Sequence, residues 1–155
     1  MISLSQQFLD KVDHEYVLKA LKSKRLTRGK YIKKFEKELC NYTGCKYAVA
    51  LNSGSSALMT AYKVLDMKKN DIVWVSPITF VSTLSSSLHF DTRYDFVDIG
   101  LDFNLSSDLL AKKFKGLNKK FYPKVVTPTH LRGLPTDQDK IYNLKKFFIY
   151  KINVS

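Results

Sequence analysis

An apolar run, Tyr47 to Leu51, enters a turn of small polar residues, Asn52 to Ser55, and a helix-period pattern follows with Leu58, Ala61, Tyr62 and Leu65. A strand feeding such a turn into a helix leaves backbone N–H groups unpaired at the helix start, where the dipole favours an anion. Gly54 lets a ligand come close to the backbone, and the hydroxyls of Ser55 and Ser56 add hydrogen bonds for a phosphate. The same pattern also makes an ordinary capped helix start. Two phosphate motifs are excluded. No Gly-Lys-Ser/Thr follows the turn, as a Walker A loop requires, and the turn holds one glycine where the dinucleotide fingerprint needs three. What remains is a candidate phosphate cup whose other contacts come from elsewhere in the chain.

Around this unit the periodicity alternates between helix and strand. It predicts a first helix over Val12–Leu21, with Asp10 or Asp13 at its cap. A second, Tyr31–Tyr42, carries Tyr31, Phe35, Leu39 and Tyr42 on one face and stops at Gly44. Strand Lys46–Leu51, helix Ser55–Asp66, strand Ile72–Val75, helix Thr79–Phe90 and strand Tyr94–Asp98 follow. Ser106 or Ser107 caps a helix over Asp108–Phe114, the charged Lys115–Lys120 stretch reads as a loose loop, Lys124–Thr127 is a further strand, and Asp137 opens a helix over Gln138–Phe147. Serial βα units argue for an α/β fold: a largely parallel sheet with helices on both faces, a three-layer sandwich.

Composition narrows the function classes. The net charge of +12 raises the question of a nucleic-acid partner, but only four of the 26 basic residues are arginine (Arg25, Arg28, Arg93, Arg132). Base readout and bidentate phosphate recognition lean on arginine, so a nucleic-acid binder is the least favoured class. The lysines are dispersed in pairs along the chain. No apolar run approaches the roughly 18 residues of a membrane span, and the N-terminus lacks the basic-then-apolar order of a secretory signal. Cys40 and Cys45 are too few for a disulfide framework, and no Cys or His pair supports a metal site. Free thiols in a reducing compartment, the cytoplasm, are expected. Asp95 and Asp98, at a strand end with no neighbouring base, read as loop-pinning residues. His14 and His89 read as helix-surface and helix-end residues, and His130, after a strand, sits where parallel sheets bind ligands.

Six segments in register carry a resemblance: Leu26-Thr-Arg-Gly29, Phe35-Glu36, Asn52-Ser-Gly-Ser-Ser-Ala-Leu58, Ser76-Pro-Ile-Thr-Phe-Val-Ser-Thr83, Phe96-Val-Asp-Ile99 and Thr127-Pro-Thr-His-Leu-Arg-Gly-Leu-Pro135. In this order the chain resembles the DegT/StrS-type sugar-nucleotide aminotransferases, fold type I enzymes that use pyridoxal 5′-phosphate. It is most similar to those that aminate C4 of a UDP-linked 4-keto-6-deoxy amino sugar, as in pseudaminic acid synthesis. The resemblance implies a helical arm over residues 1–45 and an incomplete cofactor-binding large domain over residues 46–155. It makes Gly54, Ser55 and Ser56 the phosphate-holding turn and Phe80 the aromatic that stacks on the pyridine ring. It puts Thr27 and Gly29 at the mouth of the site and makes His130 a residue on or just behind the substrate side, with a hydrogen-bonded structural role as the alternative. Glutamate is the implied amino donor, a nucleotide sugar the implied substrate, and a homodimer the implied assembly. Without the resemblance, Thr27 and Gly29 read as a turn between helices with a capping threonine, and Phe80 as a core aromatic at a helix start.

The resemblance also sets an expectation of incompleteness. In that family the Schiff-base lysine and the carboxylate beside the pyridine nitrogen lie C-terminal to the segments matched here. None of this chain's lysines sits in the family's lysine motif, so no catalytic residue is assigned. The sequence thus reads as the front part of an enzyme, expected to be inactive alone. The alternative is a non-catalytic chain that complements a separate C-terminal half or is a decayed gene product. Phe147 to Tyr150, aromatic and uncharged, is the segment expected to be most prone to association.

Overall fold

A computed structural model describes residues 6–148 and 153–154. The chain divides into two compact units, residues 1–50 and 51–155.

The first unit holds two helices, α1 (Lys11–Leu21) and α2 (Lys30–Thr43). Both aspartates offered by the sequence start α1. Asp10 accepts from the N–H groups of Val12 at 2.7 Å and Asp13 at 3.1 Å, and the Asp13 carboxylate accepts from the Asp10 N–H at 2.9 Å. This reciprocal pairing satisfies donors at both ends of the first turn. Gly44 ends α2 in the left-handed region at φ 72°, its N–H donating to the Cys40 carbonyl. Neither helix contains a buried residue; Phe35 and Tyr42, on the predicted apolar face of α2, are exposed.

One predicted strand does not form. Residues 46–51 are irregular, and Tyr47 and Val49 are about three-quarters exposed (76% and 72%). The β-prone alternation is present, but strand propensity mainly measures packing against neighbours, and among the described residues no strand lies beside this one. Its Ala50 N–H is held instead by the Glu36 carboxylate at 3.0 Å.

The second unit is a three-layer α/β sandwich. Four parallel strands, β1 (Ile72–Val75), β2 (Arg93–Phe96), β3 (Val125–Thr127) and β4 (Asn153–Val154), lie in the order β2-β1-β3-β4. Helices α3 (Gly54–Val64) and α4 (Ser82–Leu88) pack on one face, and α5 (Ser107–Gly116) and α6 (Gln138–Phe148) on the other. Strand alternation divides the core accordingly. Val73, Val75 and Val125 meet Tyr62, Met67 and Leu84, while Trp74 and Val126 meet Leu110, Phe114 and Ile141. The Trp74 and Phe114 rings lie 4.8 Å apart, and Lys113 places its ammonium 4.7 Å above the indole while pairing with Asp95 at 2.6 Å.

Two further expectations change. The helix expected from Thr79 begins at Ser82, because residues 79–81 form a turn in which the carbonyls of Phe80 and Val81 accept from Thr83 and Leu84. The Lys115–Lys120 stretch is not a loose loop: α5 runs to Gly116, and a 3₁₀ turn over Lys119–Phe121 is capped by the Asn118 side chain. The side chains of the aromatic segment Phe147 to Tyr150 lie outside the described residues.

Candidate active site at the edge of the sheet

The turn that opens α3 has the chemistry of an anion site. Ser53 is its N-cap, with Oγ accepting from the Ser56 N–H at 3.1 Å and donating to the Ser56 hydroxyl at 3.0 Å. The N–H groups of Gly54 and Ser55, in the first turn, have no possible partner within the helix. No acidic residue stands in that turn to repel an anion. A Cβ built on Gly54 would meet nothing within 4 Å, so the space over this backbone is open. Ser55 is exposed, and its carbonyl accepts from the Ser86 hydroxyl at 3.2 Å, which ties the first turn of α3 to α4. Backbone donors, free hydroxyls and an open approach fit a phosphate group.

A row of hydroxyls joins the neighbouring loops. Tyr62, buried and with its phenol pushed up by that burial, donates to the Thr83 carbonyl at 2.8 Å and meets Thr127 Oγ1 at 2.9 Å. Thr79 Oγ1 lies 2.8 Å from both Thr83 Oγ1 and Thr129 Oγ1. The loop after β1, which carries Phe80, is therefore pinned to the loop after β3, which carries His130. Phe80 is 74% exposed, its ring uncovered beside these hydroxyls rather than in the core. His130 Nδ1 accepts from the Thr136 N–H at 3.0 Å, so the ring's proton sits on Nε2 and is free to donate outward. Sequence reasoning missed Tyr62, Thr79, Thr127 and Thr129. For the threonines the signal is hydroxyl residues at or just past the C-termini of β1 and β3, where parallel sheets bind ligands; Tyr62, on α3, carries no such signal.

Thr27 and Gly29 belong to the first unit. Gly29 is the N-cap of α2, and a Cβ there would come within 2.7 Å of the Arg25 carbonyl oxygen, so only glycine fits. Thr27 is exposed and does not cap the helix. Beside them opens a cleft of about 500 Å³ whose charged lining, Lys24, Arg25, Arg28, Lys30 and Lys33, is wholly cationic. Of the two aspartates expected to pin loops, Asp98 lies in one, whereas Asp95 stands inside β2 and ties that strand to α5. Asp95 accepts from the Phe96 N–H and pairs with Lys113, and Asp98 accepts from the Ile99 N–H at 2.8 Å. Among the described residues no cluster of three or more potential metal ligands exists, and no helix is long and apolar enough to cross a membrane.

The family profile of the DegT/DnrJ/EryC1/StrS aminotransferases matches residues 7–147. The chain belongs to this aminotransferase family. Within it, the chain is 34% identical over 146 residues to the UDP-4-amino-4,6-dideoxy-N-acetyl-beta-L-altrosamine transaminase of Campylobacter jejuni, covering 94% of this chain and 38% of the relative. The enzyme of the same name from Helicobacter pylori is 38% identical over 111 residues, covering 70% of this chain and 29% of the relative. Among solved structures, Helicobacter pylori PseC, described as an aminotransferase in pseudoaminic acid biosynthesis, superposes with a TM-score of 0.88 at 29% identity. That match covers 99% of this chain and 40% of PseC. A putative sugar aminotransferase of Streptococcus pneumoniae, solved in its PLP-form, gives a TM-score of 0.83 at 28% identity over 99% of this chain and 38% of its own. The chain thus spans about two-fifths of the length of the family members it matches.

Proposed function

We propose that this chain supplies the phosphate cup and ring-stacking face of a pyridoxal phosphate-dependent aminotransferase acting on a keto group of a nucleotide-linked sugar. The observation that carries the reading is the start of α3: unpaired Gly54 and Ser55 N–H groups, an uncrowded approach and no carboxylate in the first turn. Those N–H groups bind the cofactor phosphate, and the Ser55 and Ser56 hydroxyls add charge-assisted hydrogen bonds. Phe80 offers a flat apolar face that orients the pyridine ring while leaving its reactive side open. When bound, pyridoxal phosphate supplies the electrophilic aldehyde and electron-withdrawing ring through which an amino group passes from donor to keto sugar. His130 holds a proton at Nε2 towards the substrate side, its ring fixed by Thr136.

The names of the Campylobacter and Helicobacter relatives support a UDP-linked 4,6-dideoxy amino sugar that carries an amino group at C4. A UDP-linked 4-keto-6-deoxy amino sugar receives that group, and glutamate, the donor the family resemblance implies, supplies it. The cationic cleft beside Gly29 suits the diphosphate of such a molecule by raising its local concentration. A homodimer in the cytoplasm completes the reading.

Calorimetric titration with pyridoxine 5′-phosphate tests the cup, because this analogue keeps the phosphate and lacks the aldehyde that would bond indiscriminately to lysines. Ser55→Ala should weaken its binding by about 1–2 kcal/mol, the scale of a hydrogen bond to a charged group. Equal binding of pyridoxine 5′-phosphate and unphosphorylated pyridoxine would exclude the cup.

A further inference from the structure

Two of the chain's four arginines meet in one short turn of the first unit. Between α1 and α2 the Ser23 hydroxyl lies 2.7 Å from the Ala20 carbonyl oxygen and 3.0 Å from that of Arg25, which ties Arg25 to the end of α1. Gly29 passes so close to the same Arg25 carbonyl that no side chain fits there. Arg28 takes a left-handed φ of 52°, a conformation uncommon for a non-glycine residue and concentrated at ligand sites. The turn so built lines one cleft with Arg25, Arg28, Lys24, Lys30 and Lys33. Among the described residues none of these five cations pairs with a carboxylate. Like charges gathered in one concavity repel one another, so an anion of more than one charge relieves them. Arginine, unlike lysine, offers a planar fork that holds two phosphate oxygens at once.

An aromatic wall adjoins the cations. Lys30 also lines a second cavity, of about 390 Å³, together with Tyr16, Lys19, Tyr31 and Lys34. The two tyrosine rings stand nearly at right angles, 6.5 Å apart and 80° between planes. Lys34 Nζ lies 5.3 Å from the centre of the Tyr16 ring and 3.3 Å from its hydroxyl, and Lys30 Nζ lies 5.4 Å from the centre of the Tyr31 ring. Lys19 already pairs with Glu15 at 3.1 Å. Contact with a ring restrains a lysine side chain that is otherwise free to rotate, which lowers the entropy a ligand must overcome to order it. Cations leading into aromatic rings match the order of groups in a nucleotide, phosphates first and a planar base beyond. Inorganic phosphate would use the cations and leave the tyrosines without a role.

We propose that the turn between α1 and α2 is a nucleoside diphosphate site, in which Arg25, Arg28 and Lys30 hold the diphosphate and the Tyr16–Tyr31 pair receives the base. The guanidinium forks take the phosphate oxygens, and the base stacks on a tyrosine face. The inference rests on the proposed function only for the identity of the nucleotide, since a nucleotide-linked sugar carries this group.

Calorimetric titration of the whole chain with UDP, pyrophosphate and uridine tests it. UDP should bind more tightly than pyrophosphate, and uridine most weakly. Arg28→Ala should weaken UDP and pyrophosphate alike by roughly tenfold, the loss of one charge-assisted contact. Arg28→Lys keeps the charge and loses the fork, so it should recover only part of that affinity. Tyr31→Leu keeps an apolar side chain and loses the flat ring. It should weaken UDP and leave pyrophosphate unchanged. Lys63→Ala, which removes one charge from α3, should leave UDP binding at the parent's value, and circular dichroism confirms that the variants keep their helices. Equal losses of UDP binding in Arg28→Ala and Lys63→Ala would overturn the proposal, since diffuse positive charge would then account for it. Equal affinity for UDP and pyrophosphate, unmoved by Tyr31→Leu, would overturn it too. Titration with pyridoxine 5′-phosphate on the same sample reads the cup separately. UDP binding without it would support this site and remove the cup, and the reverse would overturn this site alone.

Discussion

Thr129 donates its hydroxyl to Thr79 at 2.8 Å, joining residues 50 positions apart in the chain. The bond fixes the distance between the loop that presents Phe80 and the loop that presents His130. Thr79 is the hub, since it also meets Thr83 Oγ1. Thr79→Val keeps the shape and removes the hub, leaving two part-buried hydroxyls short of a partner. The expected loss is about 1–2 kcal/mol in urea unfolding, larger than the roughly 1 kcal/mol for Thr129→Val at the end of the row.

Tyr62 connects the same row to the core. Tyr62→Phe removes the bond to the Thr83 carbonyl and leaves Thr127 Oγ1 buried without its phenol partner, for a loss of about 1–2 kcal/mol. Because burial raises its folded pKa above 10.0, the Tyr62 contribution is complete below that value and falls as pH rises through the raised folded value. Alkaline unfolding followed by circular dichroism should therefore show a shallower loss of stability for Tyr62→Phe than for the parent.

At acid pH the sign reverses. Asp137 accepts the Lys140 N–H at 3.0 Å at the start of α6, and chiefly that backbone bond holds its carboxyl below the usual 3.8. A lowered folded value gives stability that is complete above the ordinary carboxylate range and disappears as pH falls through the folded pKa. Asp137→Ala should lower the melting temperature at neutral pH and match the parent at the acid end of the series. An equal deficit at both ends would show that the cap's charge is irrelevant.

Much of the second unit was legible in the sequence because local pattern and burial agree there. Ile72–Val75 is the predicted strand to the residue, buried at Val73, Trp74 and Val75. Lys46–Leu51 was not, although its alternation is as regular, because a strand is completed by a neighbour, and periodicity says nothing about whether one is present. In the site, Gly54, Ser55, Ser56 and Phe80 could be named from the turn and the resemblance. The threonine row could not, since pairs such as Tyr62 with Thr127 exist only once the sheet places them side by side.

Gly54 separates stability from binding. Its φ is not left-handed and its surroundings are open, so a side chain there meets no protein atom. Gly54→Val should leave the melting temperature within a few degrees of the parent, while binding of pyridoxine 5′-phosphate falls below detection because the branched side chain occupies the approach. Thermal scanning and calorimetry on the same sample check both halves.

The cup is tested most directly by amide chemical shifts during titration with pyridoxine 5′-phosphate. The largest changes should fall on the N–H groups of Gly54 and Ser55, the two first-turn donors with no partner in the helix, and unphosphorylated pyridoxine should leave them unmoved. Saturable shifts confined to the lysine-rich start of α2, with Gly54 and Ser55 unchanged, would contradict the account.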